Sequence, residues 1–323
     1  MGPRAGNHSV RAGPSGRKGM NEPLQDVIRR RPLLGDGAMG TQLMFAGLEQ
    51  GNCGELWNLT HPERVLGIQR RYAEAGSDCI LTNTFGGSRI MLNRHGSSGK
   101  VVEINRAAVE IAREAFGGRA GYVIGDIGPF GGLMQPYGDF TEEDVRSAFG
   151  EQAGALVDAG ADAIIIETQT SLEELQLGIE AAREAGAPCV IGSMAYDVTL
   201  DGSTFRTMMG VDPERAAGFM QEHDADIVAL NCGTGMDMAR AREAVLRYRK
   251  ATDLPVMVQP NAGVPKLISM KVVYDETPEQ MASGVAPLLC AGANIIGACC
   301  GSTPEHIRAF RAEMDKFYEN QTL

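Results

Sequence analysis

The sequence predicts a (β/α)8 barrel, the TIM-barrel architecture of the α/β class. Three observations carry this expectation: eight short apolar runs, amphipathic helical stretches between them, and polar or ligating residues ending nearly every run. A closed barrel needs eight parallel strands, each followed by a helix, and 323 residues are enough for one.

The apolar runs fall at 33–37, 79–82, 122–125, 163–167, 189–194, 227–232, 256–259 and 294–299. Most are rich in Ile, Val or Leu and lack clean period-2 alternation, as expected for strands covered on both faces. Helical patterns include 102–116, 142–159, 172–185 and 304–317. Three helix starts combine a cap, a proline and a glutamate: Asp212-Pro213-Glu214, Thr277-Pro278-Glu279 and Thr303-Pro304-Glu305. The capping oxygen satisfies a free backbone N–H, and proline at the first helical position forfeits no hydrogen bond. Ala-Gly pairs at 75–76, 159–160, 185–186 and 291–292 read as left-handed helix stops. A doubly wound open sheet is the alternative, but it usually carries GxGxxG after its first strand. Here Gly35-Asp36-Gly37-Ala38-Met39-Gly40 does not match that pattern.

Composition excludes several functions. The chain is 43% hydrophobic and 22% charged, a balance that can bury a sizeable core. Its net charge of -11 would repel a phosphate backbone, so no nucleic-acid partner is expected. No apolar run approaches the ~20 residues of a membrane helix, so no membrane partner is expected either. The seven cysteines are odd in number and unevenly spaced, and no secretory signal precedes them. That combination points to a reducing, cytoplasmic setting. Residues 1–19 hold Arg4, Arg11, Arg17 and Lys18 with no acid, and read as a disordered tail before a single barrel domain at 20–323.

In such a barrel the active site lies at the C-terminal ends of the strands. The residues there are Asp36, Asn83, Thr84, Asp126, Glu167, Asn231, Cys232, Asn261, Cys299 and Cys300. Each can ligate, titrate or hydrogen-bond, a pattern that packing alone does not favour. Cys232, Cys299 and Cys300 can converge from strands six and eight if the chain bends at the cysteine pair, which Gly301 permits. Three thiolates with an open fourth position suit a catalytic zinc ion. Spacing alone also allows three small buried hydrophobes, since no CxxC pair is present. Asp36 and Glu167 could hold an ammonium group or a magnesium ion, and composition does not separate the two. His61, His95, His223 and His306 form no ligand pair and receive no role.

The motifs together resemble the homocysteine S-methyltransferase family, which includes the homocysteine-binding module of cobalamin-dependent methionine synthase and the betaine-dependent enzyme. The matching segments are Gly35 through Thr41, Thr82-Asn83-Thr84-Phe85, Ile166-Glu167-Thr168, Leu230-Asn231-Cys232, Pro260-Asn261-Ala262-Gly263, Gly297 through Gly301 and Thr303-Pro304-Glu305-His306. They run in the family's order across about residues 30–315. The resemblance implies zinc on Cys232, Cys299 and Cys300, and a substrate ammonium group held by Asp36 and Glu167. It implies that backbone N–H groups of Gly37, Ala38, Met39 and Gly40 meet the substrate carboxylate, with Asn231 among the substrate residues. Asn261 to Pro265 looks nearer the methionine synthase module, and Thr168 stands where betaine enzymes carry tyrosine.

The expected reaction is methyl transfer to the thiol of homocysteine, giving methionine. No further module that could carry a methyl group is expected. The donor is therefore expected to be a small sulfonium compound or a separate corrinoid protein. The alternatives are another small thiol or a selenol as acceptor, or a zinc-binding or redox-sensing barrel that methylates nothing.

Overall fold

The protein, described here from a computed structural model covering residues 22–268 and 271–321, forms the barrel that the apolar runs predict. The tail expected at 1–19 lies outside the described residues. In chain order the barrel strands are β1 (Leu33–Leu34), β2 (Cys79–Leu81), β3 (Tyr122–Ile127), β4 (Ala163–Gln169), β5 (Val190–Met194), β6 (Ile227–Asn231), β7 (Val256–Gln259) and β8 (Ile295–Ile296). They pair in parallel in the order β1-β8-β7-β6-β5-β4-β3-β2.

Helices pack outside this ring at Val101–Ala115, Glu142–Asp158, Leu172–Glu184 and Pro304–Gln321, close to the predicted spans. Asp212 accepts the Arg215 N–H at 2.9 Å, and Thr277 forms a capping box with Gln280. Gly76 and Gly292 close their helices with φ of 110° and 100°. Two antiparallel hairpins rise from the loops after β5 and β7, pairing Asp197–Val198 with Phe205–Arg206 and Lys266–Ile268 with Lys271–Val273. Among the described residues, no helix is long and apolar enough to cross a membrane.

β1 and β8 are shorter than expected, and two glycines meet where they would continue. A Cβ on Gly35 would lie 3.1 Å from the Gly297 Cα. The backbone nevertheless stays bonded there, Gly35 N–H donating to Ile296 C=O at 2.8 Å. No regular ladder joins β1 to β2, and side chains close that seam. The Asp78 carboxylate accepts the Leu34 N–H at 2.9 Å, while the Asp78 N–H donates to the Leu34 C=O at 2.7 Å. Higher up, Asp36 Oδ2 accepts the Leu81 N–H at 2.9 Å.

Strand alternation then places the site. Tyr122 and Ile124 point into the barrel, so Asp126 does too; Ala163 and Ile165 are followed inward by Glu167. On β6 Ile227 and Ala229 lead to Asn231, and on β7 Met257 leads to Gln259. The lower layers are apolar and the top layer is polar. The helix Leu24–Ile28 stoppers the lower end, where Leu24, Val27 and Ile28 pack with the barrel interior.

One buried acid anchors a loop at the top. Glu174, in the first turn of Leu172–Glu184, accepts the Phe130 N–H at 2.8 Å and so fixes the segment after β3. Burial pushes its pKa from 4.5 up to about 7, with the Phe130 bond opposing. Because the folded pKa is raised, its stabilising protonation is complete below the unfolded value and is lost as pH rises through 7. Glu174→Gln keeps the acceptor and removes the titration. Between pH 5 and 8 the variant should gain on wild type by on the order of 3 kcal/mol at most, read by urea unfolding at each pH. Parallel wild-type and variant curves would contradict this.

Candidate metal centre and substrate cavity

A cavity of about 460 Å³ opens at the C-terminal ends of the strands, within the size range of small-molecule sites. Cys232, Cys299 and Cys300 line it together with Asp36, Asp126 and Glu167.

Each cysteine is placed by a local backbone device. Cys232 follows β6 in left-handed conformation, φ 56°, with its N–H donating to the Gln259 C=O at 3.2 Å. A non-glycine residue there is strained, which is a feature of functional positions. Gly233 follows at φ 86°, and a Cβ on it would overlap the Tyr196 carbonyl oxygen at 1.8 Å. After β8 the chain turns as expected: Gly301 has φ 82°, and Ser302 N–H bonds back to Cys299 C=O at 3.2 Å. A side chain at 301 would collide with Tyr274, 2.1 Å from its Cγ. Both neighbouring cysteines thereby face one point.

The three sulfurs lie within 4.8 Å of one another, with Cys232 to Cys300 at 3.8 Å and Cys299 to Cys300 at 4.0 Å. Zinc–sulfur bonds of ~2.3 Å at tetrahedral angles separate sulfurs by roughly 3.8 Å, so this donor set fits the ion. Among the described residues the ligating group stops at three, the number a catalytic site uses when it keeps a position for substrate. Within the cluster the Cys232 pKa is drawn far down by hydrogen bonds from Cys299 and Cys300. Those two are pushed up, chiefly by donating to it.

Two acids line the same cavity. Asp36 is 3% exposed, and burial raises its pKa to about 7 against the Leu81 hydrogen bond. Glu167 is 7% exposed and raised to about 8, first by burial, then by the charges of Cys232 and Asp36. Gly37, Ala38, Met39 and Gly40 line the same cavity, but the Ala38 N–H is taken by Ser302 Oγ at 3.0 Å. Asn231 lies behind the wall. Its Oδ1 accepts the Thr168 N–H at 3.0 Å and the Ser193 hydroxyl at 2.6 Å, and its amide donates to Thr168 Oγ1 at 2.7 Å. It thus pins Thr168 in a left-handed conformation, φ 59°, directly after Glu167.

Sequence reasoning named Asp126 as a strand end without giving it a role, and did not single out Glu55 or Tyr274. The inward alternation of β3 was a signal for Asp126. Glu55 and Tyr274 come from irregular loops and had none. Tyr274 stands against Cys300, its pKa raised first by burial and next by that sulfur. His95, given no role, lines the cavity.

Residues 33–314 match the family model described as homocysteine S-methyltransferase. This chain belongs to the homocysteine S-methyltransferase family. It is 32% identical over 303 residues to a methionine synthase of Mycobacterium leprae and 34% identical over 305 residues to one of Mycobacterium tuberculosis. Those alignments cover 90% of this chain but 25% of each relative, so the family member described here spans about a quarter of their length. The metallated homocysteine methyltransferase MmuM of Escherichia coli shares its fold, with a TM-score of 0.73 and 22% identity over 90% of this chain and 99% of that one.

Proposed function

We propose that this family member is a zinc-dependent methyltransferase moving a methyl group from a sulfonium or corrinoid-protein donor to the thiol of homocysteine, giving methionine. The observation that carries the reading is the convergence of Cys232, Cys299 and Cys300 in an acidic cavity. We take the whole as one barrel domain working in the cytoplasm.

When bound, zinc would strip the proton from the substrate thiol and hold the sulfur as a nucleophile. The chain's own residues bind and orient. Glu167 and Asp36 present buried carboxylates to the substrate ammonium, the cation that offsets their burial. With the Ala38 N–H engaged, the first turn of the helix Met39–Phe45 offers its free N–H groups to the substrate carboxylate. Asn231 keeps Glu167 aimed by fixing Thr168. Leu43 and Leu48 give the cavity an apolar wall that excludes water. Held at both ends, the substrate sulfur meets the donor methyl along one line.

The test is an assay of zinc-loaded protein with homocysteine and each donor class in turn. Methionine should form with at least one sulfonium compound or methylated corrinoid protein. Tight zinc binding with no methionine from any donor would favour a non-catalytic metal-binding barrel instead.

A further inference from the structure

The transfer above leaves Asp126 unexplained. Its backbone is held on both sides: the N–H donates to Thr82 Oγ1 at 3.0 Å, and the C=O accepts from Thr84 Oγ1 at 2.7 Å. Its carboxylate is not. The residue is 5% exposed, lines the cavity, and its buried Oδ1 has no hydrogen-bond partner. Glu55, the other acid on that side, is occupied, accepting the Gly86 N–H at 2.7 Å and the Cys53 thiol at 3.2 Å. A carboxylate kept for the framework would have such partners.

The charge balance of the cavity points the same way. Asp36, Glu55, Asp126 and Glu167 line it, and no Lys or Arg does among the described residues. Homocysteine brings one ammonium group, which Asp36 and Glu167 answer. Burial, then the neighbouring charges of Glu167, Asp36 and Glu55, push the Asp126 pKa well above the carboxylate range, so it carries charge only where a second cation answers it. Phe85 and Met91 also line the cavity, surfaces suited to methyl groups around a positive centre.

We infer that Asp126 binds and selects the methyl donor through its positive charge, and that the donor is a small onium ion, either a sulfonium or a quaternary ammonium compound. This rests on the proposed homocysteine transfer, sets the corrinoid protein aside as donor, and admits a quaternary ammonium compound beside the sulfonium. In the step, the homocysteine thiolate attacks the methyl carbon and a new sulfur–carbon bond forms. The bond from that carbon to the onium atom breaks, and its electron pair returns to the onium sulfur or nitrogen. Thiolate and onium charges cancel, so the charge facing Asp126 fades toward the transition state. Asp126 therefore favours the bound donor over the transition state, and its loss belongs in KM rather than kcat.

The experiment compares zinc-loaded wild type with Asp126→Asn and Asp126→Ser. Donors are S-methylmethionine, S-adenosylmethionine, betaine and a methylated corrinoid protein, assayed separately. Calorimetry measures homocysteine binding without donor, and binding of each onium compound without homocysteine. At least one onium donor should turn over, with its KM raised about tenfold or more in both variants and kcat unchanged or higher. Homocysteine affinity should stay within about twofold, which also reports that the variants fold. The inference is overturned by an unchanged onium KM, by an equal loss of homocysteine affinity, or by turnover with the corrinoid protein alone. If wild type binds no homocysteine, the transfer reading fails first. The onium titrations then still decide for Asp126: binding lost in both variants supports its role, and binding equal to wild type, or none in any protein, overturns it.

Discussion

Cys299→Ala is expected to empty the metal centre and lower turnover by on the order of a thousandfold, the several kcal/mol that a metal ion contributes to such a step. The three sulfurs span no more than 4.8 Å, and no fourth ligating side chain joins them among the described residues. Removing one leaves two, too few to retain zinc against dilution. Alanine at this position adds no clash, and the Cys299 C=O still accepts from Ser302 Oγ, so the turn should survive. Elemental analysis should fall from about one zinc per chain to near none, with Cys232→Ala behaving alike. Cys290→Ala, on the exposed side of a helix, should change neither quantity. Full zinc occupancy in the Cys299 and Cys232 variants would remove the basis for the proposed chemistry.

Glu167→Gln is expected to weaken homocysteine binding by ~2–5 kcal/mol, the usual loss when one partner of a buried charge pair is neutralised. Zinc content should not change, because three soft sulfurs already form the metal's share of the site. A thiol without the amine, such as 3-mercaptopropionate, should lose little between wild type and variant. The difference between the two thiols is the diagnostic quantity, measured by calorimetry with zinc determined alongside. Equal penalties, or an emptied metal centre, would assign Glu167 some other role.

The barrel was legible because each strand is buried on two faces and its apolar run stands out from amphipathic helices. All eight runs became strands, and the Asp212 and Thr277 starts became caps. The cysteines were legible as candidates, and the bend at Gly301 is where the sequence allowed it. Less visible was how a side chain divides its two ends between neighbours. Nothing in a single sequence reveals that Asn231 turns its amide onto Thr168 and Ser193 rather than into the cavity. The hairpins after β5 and β7 were missed because each strand is only two or three residues long. Asp126 was read as a strand end, but its lack of partners is a property of three dimensions.

The closure of the seam between β1 and β2 has an evolutionary consequence. Asp36 joins the strands through one oxygen and faces the cavity, so substitutions there alter ligand preference and barrel integrity together. Asp126 carries no such link through its side chain, and Glu167 leans only on the hydroxyl of its neighbour Thr168. Among descendants of this barrel, divergence toward new small molecules has an open route at positions 126 and 167. Position 36 can follow only where another residue has first taken over the Leu81 amide.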